Sequence, residues 1–166
     1  DGPLLDGDGN IPSQLWPLLE TMRDRAIAFV PASGRQCTTL STMFGSHLQG
    51  MPIIAENGTY VVRDGVDISS STIDPNLTRE VITGVRQLRN DGHDVGLVVA
   101  TKSIAYLERG DDPFVSHVAT YYHSHRIVKD LSEHTDDVIK LSIYDFREAS
   151  EATYPTMQRT APEHQV

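Results

Sequence analysis

The stretch IAFVPASGRQ, residues 27–36, decides how this chain is read. Its first half is a short apolar run of the length that a buried parallel strand uses, and its second half is small, polar and glycine-containing. CTTLSTMFGSHL, residues 37–48, follows at once and predicts a helix. Strand, polar turn and helix in this order form the unit of an open α/β sheet, and such sheets place their ligands at the strand ends. MPIIAENG, residues 51–58, repeats the arrangement with a second apolar strand that ends in a polar turn.

Upstream, Ser13 is in position to cap a helix near 13–26, with Leu15, Leu18, Leu19, Met22 and Ala26 on one face and Trp16 beside them. The chain opens DGPLLDGDGN, and Asp6, Asp8 and Asn10 occupy the first, third and fifth positions of an EF-hand loop. The sixth position, which needs glycine, is Ile11, and the twelfth, which needs a bidentate glutamate, is Pro17. DGDGN is therefore expected to be an ordinary turn into the helix.

Downstream, TYVVRDGVDIS (59–69) reads as a hairpin turning at Asp64-Gly65, and the boundary between two lobes is expected near residue 60. Asp74 or Asn76 caps a helix carrying Leu77, Val81, Val85 and Leu88, which stops at Asn90-Asp91-Gly92. DVGLVVAT (94–101) is a strand, and 103–122 read as short helices separated by Gly110 and Pro113. In DDVIKLSIYD (136–145), Ile139, Leu141 and Ile143 alternate with Lys140, Ser142 and Tyr144, which predicts another strand. A last helix is expected from near Glu148, interrupted by Pro155.

The 166 residues hold 14 Lys plus Arg against 23 Asp plus Glu, a net charge of −9. That field repels polyanions, so neither nucleic acid nor an anionic membrane is an expected partner. A small anionic substrate is compatible with it, given local donors or a metal. No apolar run approaches the roughly 18 residues of a membrane span, and no basic-then-apolar leader opens the chain. The single cysteine, Cys37, excludes an intrachain disulfide framework, and a cytoplasmic location is expected. Nothing in the sequence speaks to oligomeric state.

Three pieces in order, DGPLL at 1–5, ASGR at 32–35 and AENG at 55–58, resemble the haloacid dehalogenase-like phosphatases, in particular their Cof-type sugar-phosphatase branch. The resemblance implies an α/β protein, with the N-terminal part of a Rossmann-like core over 1–60 and most of an inserted α/β cap over 61–166. It implies magnesium-dependent hydrolysis of a small phosphomonoester, a sugar phosphate, through a phosphoaspartyl intermediate. Asp1 matches the general acid and base, and its backbone carbonyl would bind magnesium. Ser33 matches the hydroxyl that bonds the transferring phosphoryl group, while Gly34, Arg35, Asn57 and Gly58 would line the substrate. The nucleophilic Asp would stand two residues before Asp1, and a later Lys and acidic pair would follow Val166, so truncation at both ends is expected. Pro3 stands where the family has Thr, which removes a hydroxyl and a backbone donor. A phosphate monoester is a dianion, so a carboxylate can attack it only beside a cation and fixed donors, and this explains why such residues occur together.

Other readings stay open beside this one. A non-catalytic relative that binds a phosphorylated ligand or a protein fits the same residues, as does a phosphosugar mutase or a trehalose-phosphate-type phosphatase. Ser33 is equally placed to cap the helix at 37–48, and Asn57-Gly58 to form a plain turn. His123 and His125 have the spacing of two ligands on one strand face, although no further ligand is evident. Cys37 stands near a helix N-terminus, where the dipole would lower a thiol pKa, but a packed small side chain is the simpler reading. Asp111-Asp112 and Asp136-Asp137 read as loop or cap acids.

Overall fold

Residues 4–147 and 152–162 are described by a computed structural model, in which the chain divides after Ser70 into two units. The boundary expected near residue 60 is thus displaced by about ten residues. The reason is pairing: β1 (Pro52–Ala55), β2 (Tyr60–Arg63) and β3 (Val66–Ser70) form one antiparallel sheet in that order, so the hairpin belongs with what precedes it. The hairpin turns where expected, with φ of 50° at Asp64 and 77° at Gly65, the left-handed pair that a two-residue turn requires.

In this first unit α1 (Leu15–Asp24) begins after Gln14, and Ser13 makes no side-chain cap. Backbone carbonyls take the first donors instead: Leu15 N–H donates to Pro12 O (2.9 Å) and Trp16 N–H to Ser13 O (3.4 Å). The helix closes with Ile27 N–H on Met22 O and Ala26 N–H on Arg23 O, around Ala26 at φ 56°. Leu15 and Leu19 are buried, whereas Leu18 stays 52% exposed, so the apolar face is narrower than expected. Asp6 Oδ1 accepts from the Asp8 and Asn10 N–H groups, which makes DGDGN a turn. α2 (Cys37–Phe44) continues into a 3-10 turn over Gly45–Leu48, and its Leu40 and Phe44 are buried; Trp16 meets the Phe44 ring edge-on at 6.3 Å.

The strand expected at IAFVP is absent. Ala32 forms a single parallel bridge with Ile54, supported by Ile54 N–H on Pro31 O (2.9 Å), and nothing pairs with 27–30 as a strand among the described residues. Ile27 and Val30 remain 48% and 38% exposed. An apolar run becomes a strand only where neighbouring backbone completes its ladder.

The second unit is a four-stranded sheet, β4 (Val95–Thr101), β5 (Ala105–Leu107), β6 (His125–Ile127) and β7 (Val138–Asp145), in the order β6-β5-β4-β7. Only β5 and β6 run parallel. α3 (Pro75–Asn90) is capped by Asp74, whose Oδ1 accepts from Asn76 and Leu77 N–H, and it ends with Gly92 at φ 89°. Val81, Ile82, Val85 and Leu88 of this helix pack with Val95, Leu97 and Val99 of β4 and with Met157 of α5 (Thr153–Thr160). The opposite face of β4 carries Val98 and Ala100, which pack with Phe114 and Val118 of α4 (Asp112–Ala119). β4 is therefore buried on both sides, as its unbroken apolar run requires.

Two expectations for this unit are corrected. The 103–122 segment holds a strand, β5, and then one helix that Pro113 opens instead of dividing; Pro is accommodated there because first-turn N–H groups lack intrahelical partners. Pro155 occupies the first turn of α5 for the same reason and does not interrupt it, while Glu148 lies outside the described residues.

Arg86 ties α3 to the β5 end through Glu108, Asp130 (2.6 Å) and Ser132. Burial pushes the Glu108 pKa up, but the Arg86 guanidinium and the Leu131 N–H outweigh it and hold it below the usual range. Arg86 and then Ser132 hold Asp130 at about 2. Both groups release protons more readily folded than unfolded, so the unfolded chain binds more protons in acid and stability rises with pH there. The urea midpoint of this unit should be flat above about pH 5, where the unfolded carboxyls are already ionised, and should fall as pH drops towards about 2. Glu108→Gln should flatten that acid slope; a slope unchanged in the variant would rule out this network as its source.

Candidate functional site

The motif residues of the first unit meet through backbone hydrogen bonds. Ser33 N–H donates to Ile54 O (3.0 Å), Asn57 N–H to Ser33 O (3.2 Å) and Glu56 N–H to Arg35 O (3.1 Å). The Ser33-Gly34-Arg35 turn and the Glu56-Asn57-Gly58 turn are thereby laced side by side at the end of β1. Gly34 lies close against the Asn57 side chain, and a Cβ there would make Asn57 Oδ1 move aside. Glu56, Asn57 and Gly58 have φ of 52°, 59° and 95°. Two of these three left-handed residues are not glycine, a costly arrangement of the kind that clusters at functional sites.

Ser33 is not the cap of α2. The helix starts at Cys37 after Gln36, which makes no side-chain cap, and Ser33 Oγ accepts the Arg35 N–H at 3.1 Å. The hydroxyl is thus oriented by its own turn. Ser33, Gly34 and Arg35 are half-buried, while Asn57 and Gly58 are exposed. Asp1 and Pro3 lie outside the described residues.

Glu56 is 1% exposed beneath these turns, and the sequence reading did not single it out. The only signal available was its place next to Asn57, which is weak, since glutamate is ordinarily a surface residue. Cys37 is packed rather than activated: burial pushes its thiol pKa up, and the Glu56 and Asp67 charges push in the same direction.

The remaining candidates are dispersed. β6 starts at His125, so His123 does not share a strand face with it, and the His125 ring Nδ1 sits 2.8 Å from Tyr122 O. Asp111 caps α4 through the Phe114 N–H, and Asp136 and Asp137 are exposed in the turn before β7. Among the described residues no three His, Cys, Asp or Glu side chains are grouped to hold a metal ion.

The haloacid dehalogenase-like hydrolase family matches residues 1–165 of the chain. The chain belongs to the haloacid dehalogenase-like hydrolases. It is 26% identical over 125 residues to the 5-amino-6-(5-phospho-D-ribitylamino)uracil phosphatase YbjI of Escherichia coli (strain K12), covering 75% of this chain and 45% of that protein. Two solved structures show the same α/β fold. A protein from Eubacterium rectale superposes with a TM-score of 0.80 at 20% identity, over 98% of this chain and 62% of that one. BT4131, a sugar phosphatase of HAD subclass IIB, gives 0.70 at 16% identity, over 98% and 60%. The chain thus spans less than half of the E. coli relative and about three fifths of these structures. No helix among the described residues is long and apolar enough to cross a membrane.

Proposed function

We propose that this chain carries part of the site of a phosphomonoester hydrolase acting on a small phosphorylated sugar or polyol, with Ser33, Gly34, Arg35, Asn57 and Gly58 holding the phosphoryl end. The observation that carries this reading is the Asn57 N–H bond to Ser33 O, which joins the second and third motif turns at the end of one strand. Family membership and the phosphatase names of the relatives support it.

Each group has a distinct part. The Ser33 hydroxyl, oriented by its turn, donates to a phosphoryl oxygen that gains charge in the transition state. Gly34 lets backbone approach that oxygen closely, and the Arg35 guanidinium and Asn57 amide orient the substrate. Asp1 protonates the departing alkoxide and then takes a proton from the attacking water. Magnesium would be held by the Asp1 backbone carbonyl together with carboxylate and water oxygens, and when bound it supplies the positive charge that lets a carboxylate approach a dianion. The second unit, in this reading, is the cap. A binding role without turnover remains the alternative, and kinetics separate the two.

The test is release of phosphate from p-nitrophenyl phosphate by the protein in its full reading frame, with and without magnesium. Ser33→Ala should lower kcat by about 10²-fold, the usual effect of removing one transition-state donor, while leaving the melting temperature in place. Turnover that persists without magnesium, or that ignores the Ser33 substitution, would sink the proposal.

A further inference from the structure

Beneath the two motif turns lies a carboxyl to which hydrolysis, as proposed above, gives no part. Glu56 is 1% exposed. Taking a carboxyl out of water is costly, and a leucine or methionine would fill the same space without that cost. Packing alone therefore does not explain a glutamate at this position.

Its backbone supplies the reason. Glu56, Asn57 and Gly58 follow one another at φ of 52°, 59° and 95°. Glycine takes that conformation freely and asparagine takes it readily, but glutamate has no such local preference. Glu56 is held there from outside. Its N–H donates to Arg35 O (3.1 Å), and its carbonyl accepts from Thr59 N–H (3.3 Å) and from Thr59 Oγ1 (2.8 Å). The side chain is buried inward of these bonds, and its charge bears on the thiol of Cys37, the first residue of α2. One buried side chain thus lies inward of both turns, on the side where α2 begins.

The torsion at Glu56 sets the direction of everything that follows it. If φ relaxed to the ordinary negative range, the Asn57 N–H would swing away from Ser33 O and the Asn57 side chain away from Gly34. Those two contacts join the turns, so the Ser33 and Asn57 groups would lose their common frame.

We propose that Glu56 is a positioning residue: its buried side chain holds the left-handed backbone that sets the Asn57 N–H on Ser33 O, and so keeps the phosphoryl-binding groups in register. The kinetic consequence rests on the hydrolase proposed above, while the geometric one does not. The test is amide hydrogen exchange and p-nitrophenyl phosphate kinetics on the protein in its full reading frame, unsubstituted and as Glu56→Ala and Glu56→Gln. In the unsubstituted protein the Asn57 amide should exchange at least about tenfold slower than in an unstructured peptide of the same sequence. Glu56→Ala should speed Asn57 exchange about tenfold while the Ile54 amide, bonded to Pro31 O in the same unit, keeps its protection. It should lower kcat about 10–100-fold with KM moved less than about twofold, the pattern for misplaced groups that act in the transition state. Glu56→Gln, of the same length and shape, should restore both readouts to within about threefold of the unsubstituted protein. An unprotected Asn57 amide in the unsubstituted protein, equal loss of protection at Ile54 and Asn57 in the alanine variant, or a glutamine variant no better than alanine would overturn the assignment. If the unsubstituted protein releases no phosphate, hydrolysis fails on its own, and the exchange at Asn57 still decides the role of Glu56.

Discussion

Phe114→Ala should destabilise the second unit by about 3–5 kcal/mol, the range for deleting a fully buried aromatic ring. Phe114 is 0% exposed and packs within the cluster of Val98, Ala100, Ala105, Leu107 and Val118. Opposite it stands Gly96, where any Cβ would overlap three carbons of the Phe114 ring. A glycine partner has no side chain with which to fill the space that alanine leaves, so relaxation is limited and the cost should fall towards the upper end. The Arg109 guanidinium, 5.4 Å from the ring centroid, would also lose that contact while keeping its ion pair with Asp94. Urea unfolding followed by circular dichroism measures the change. Phe114→Leu should recover more than half of the stability, and a loss below about 1 kcal/mol in the alanine variant would contradict the packing described.

Asp1→Asn, in the full reading frame, should cut magnesium-dependent phosphate release by about 10²–10⁴-fold, the usual contribution of one general acid and base. The substitution keeps the backbone carbonyl proposed to touch magnesium and removes only the side chain's ability to exchange a proton. Magnesium dependence should therefore persist in the residual activity. The loss should be greater with an alkyl phosphate than with p-nitrophenyl phosphate, because p-nitrophenolate departs without much help from an acid. Equal losses on both substrates would argue that Asp1 acts on the water alone. Full activity in the variant would remove Asp1 from the mechanism.

Much of the second unit was legible because local chemistry agreed with tertiary packing. Asp74 before Pro75, the spacing of Val81, Val85 and Leu88, and Gly92 at the end specify α3 without outside help. Asp64-Gly65 likewise specifies its hairpin through backbone conformation alone. IAFVP misled for the opposite reason, since an apolar run carries no information on whether another strand lies beside it. Pro113 and Pro155 misled because the same residue that breaks a helix interior also opens a helix, and only the position of the first turn distinguishes the two.

The candidate site divides in the same way. The turns at Ser33-Gly34-Arg35 and Asn57-Gly58 were picked out in the sequence by their resemblance, in residue type and order, to the motifs of the haloacid dehalogenase-like phosphatases. Their contact was not readable. Arg35 and Asn57 are 22 positions apart, and only the folding of α2 and β1 brings the Asn57 N–H to Ser33 O and seats Asn57 against Gly34. Burial of Glu56 was equally beyond the sequence. Hydrogen-bonding capacity and backbone preference belong to each residue and can be read in order; enclosure is a property of neighbours distant in the chain, and it exists only once they have packed.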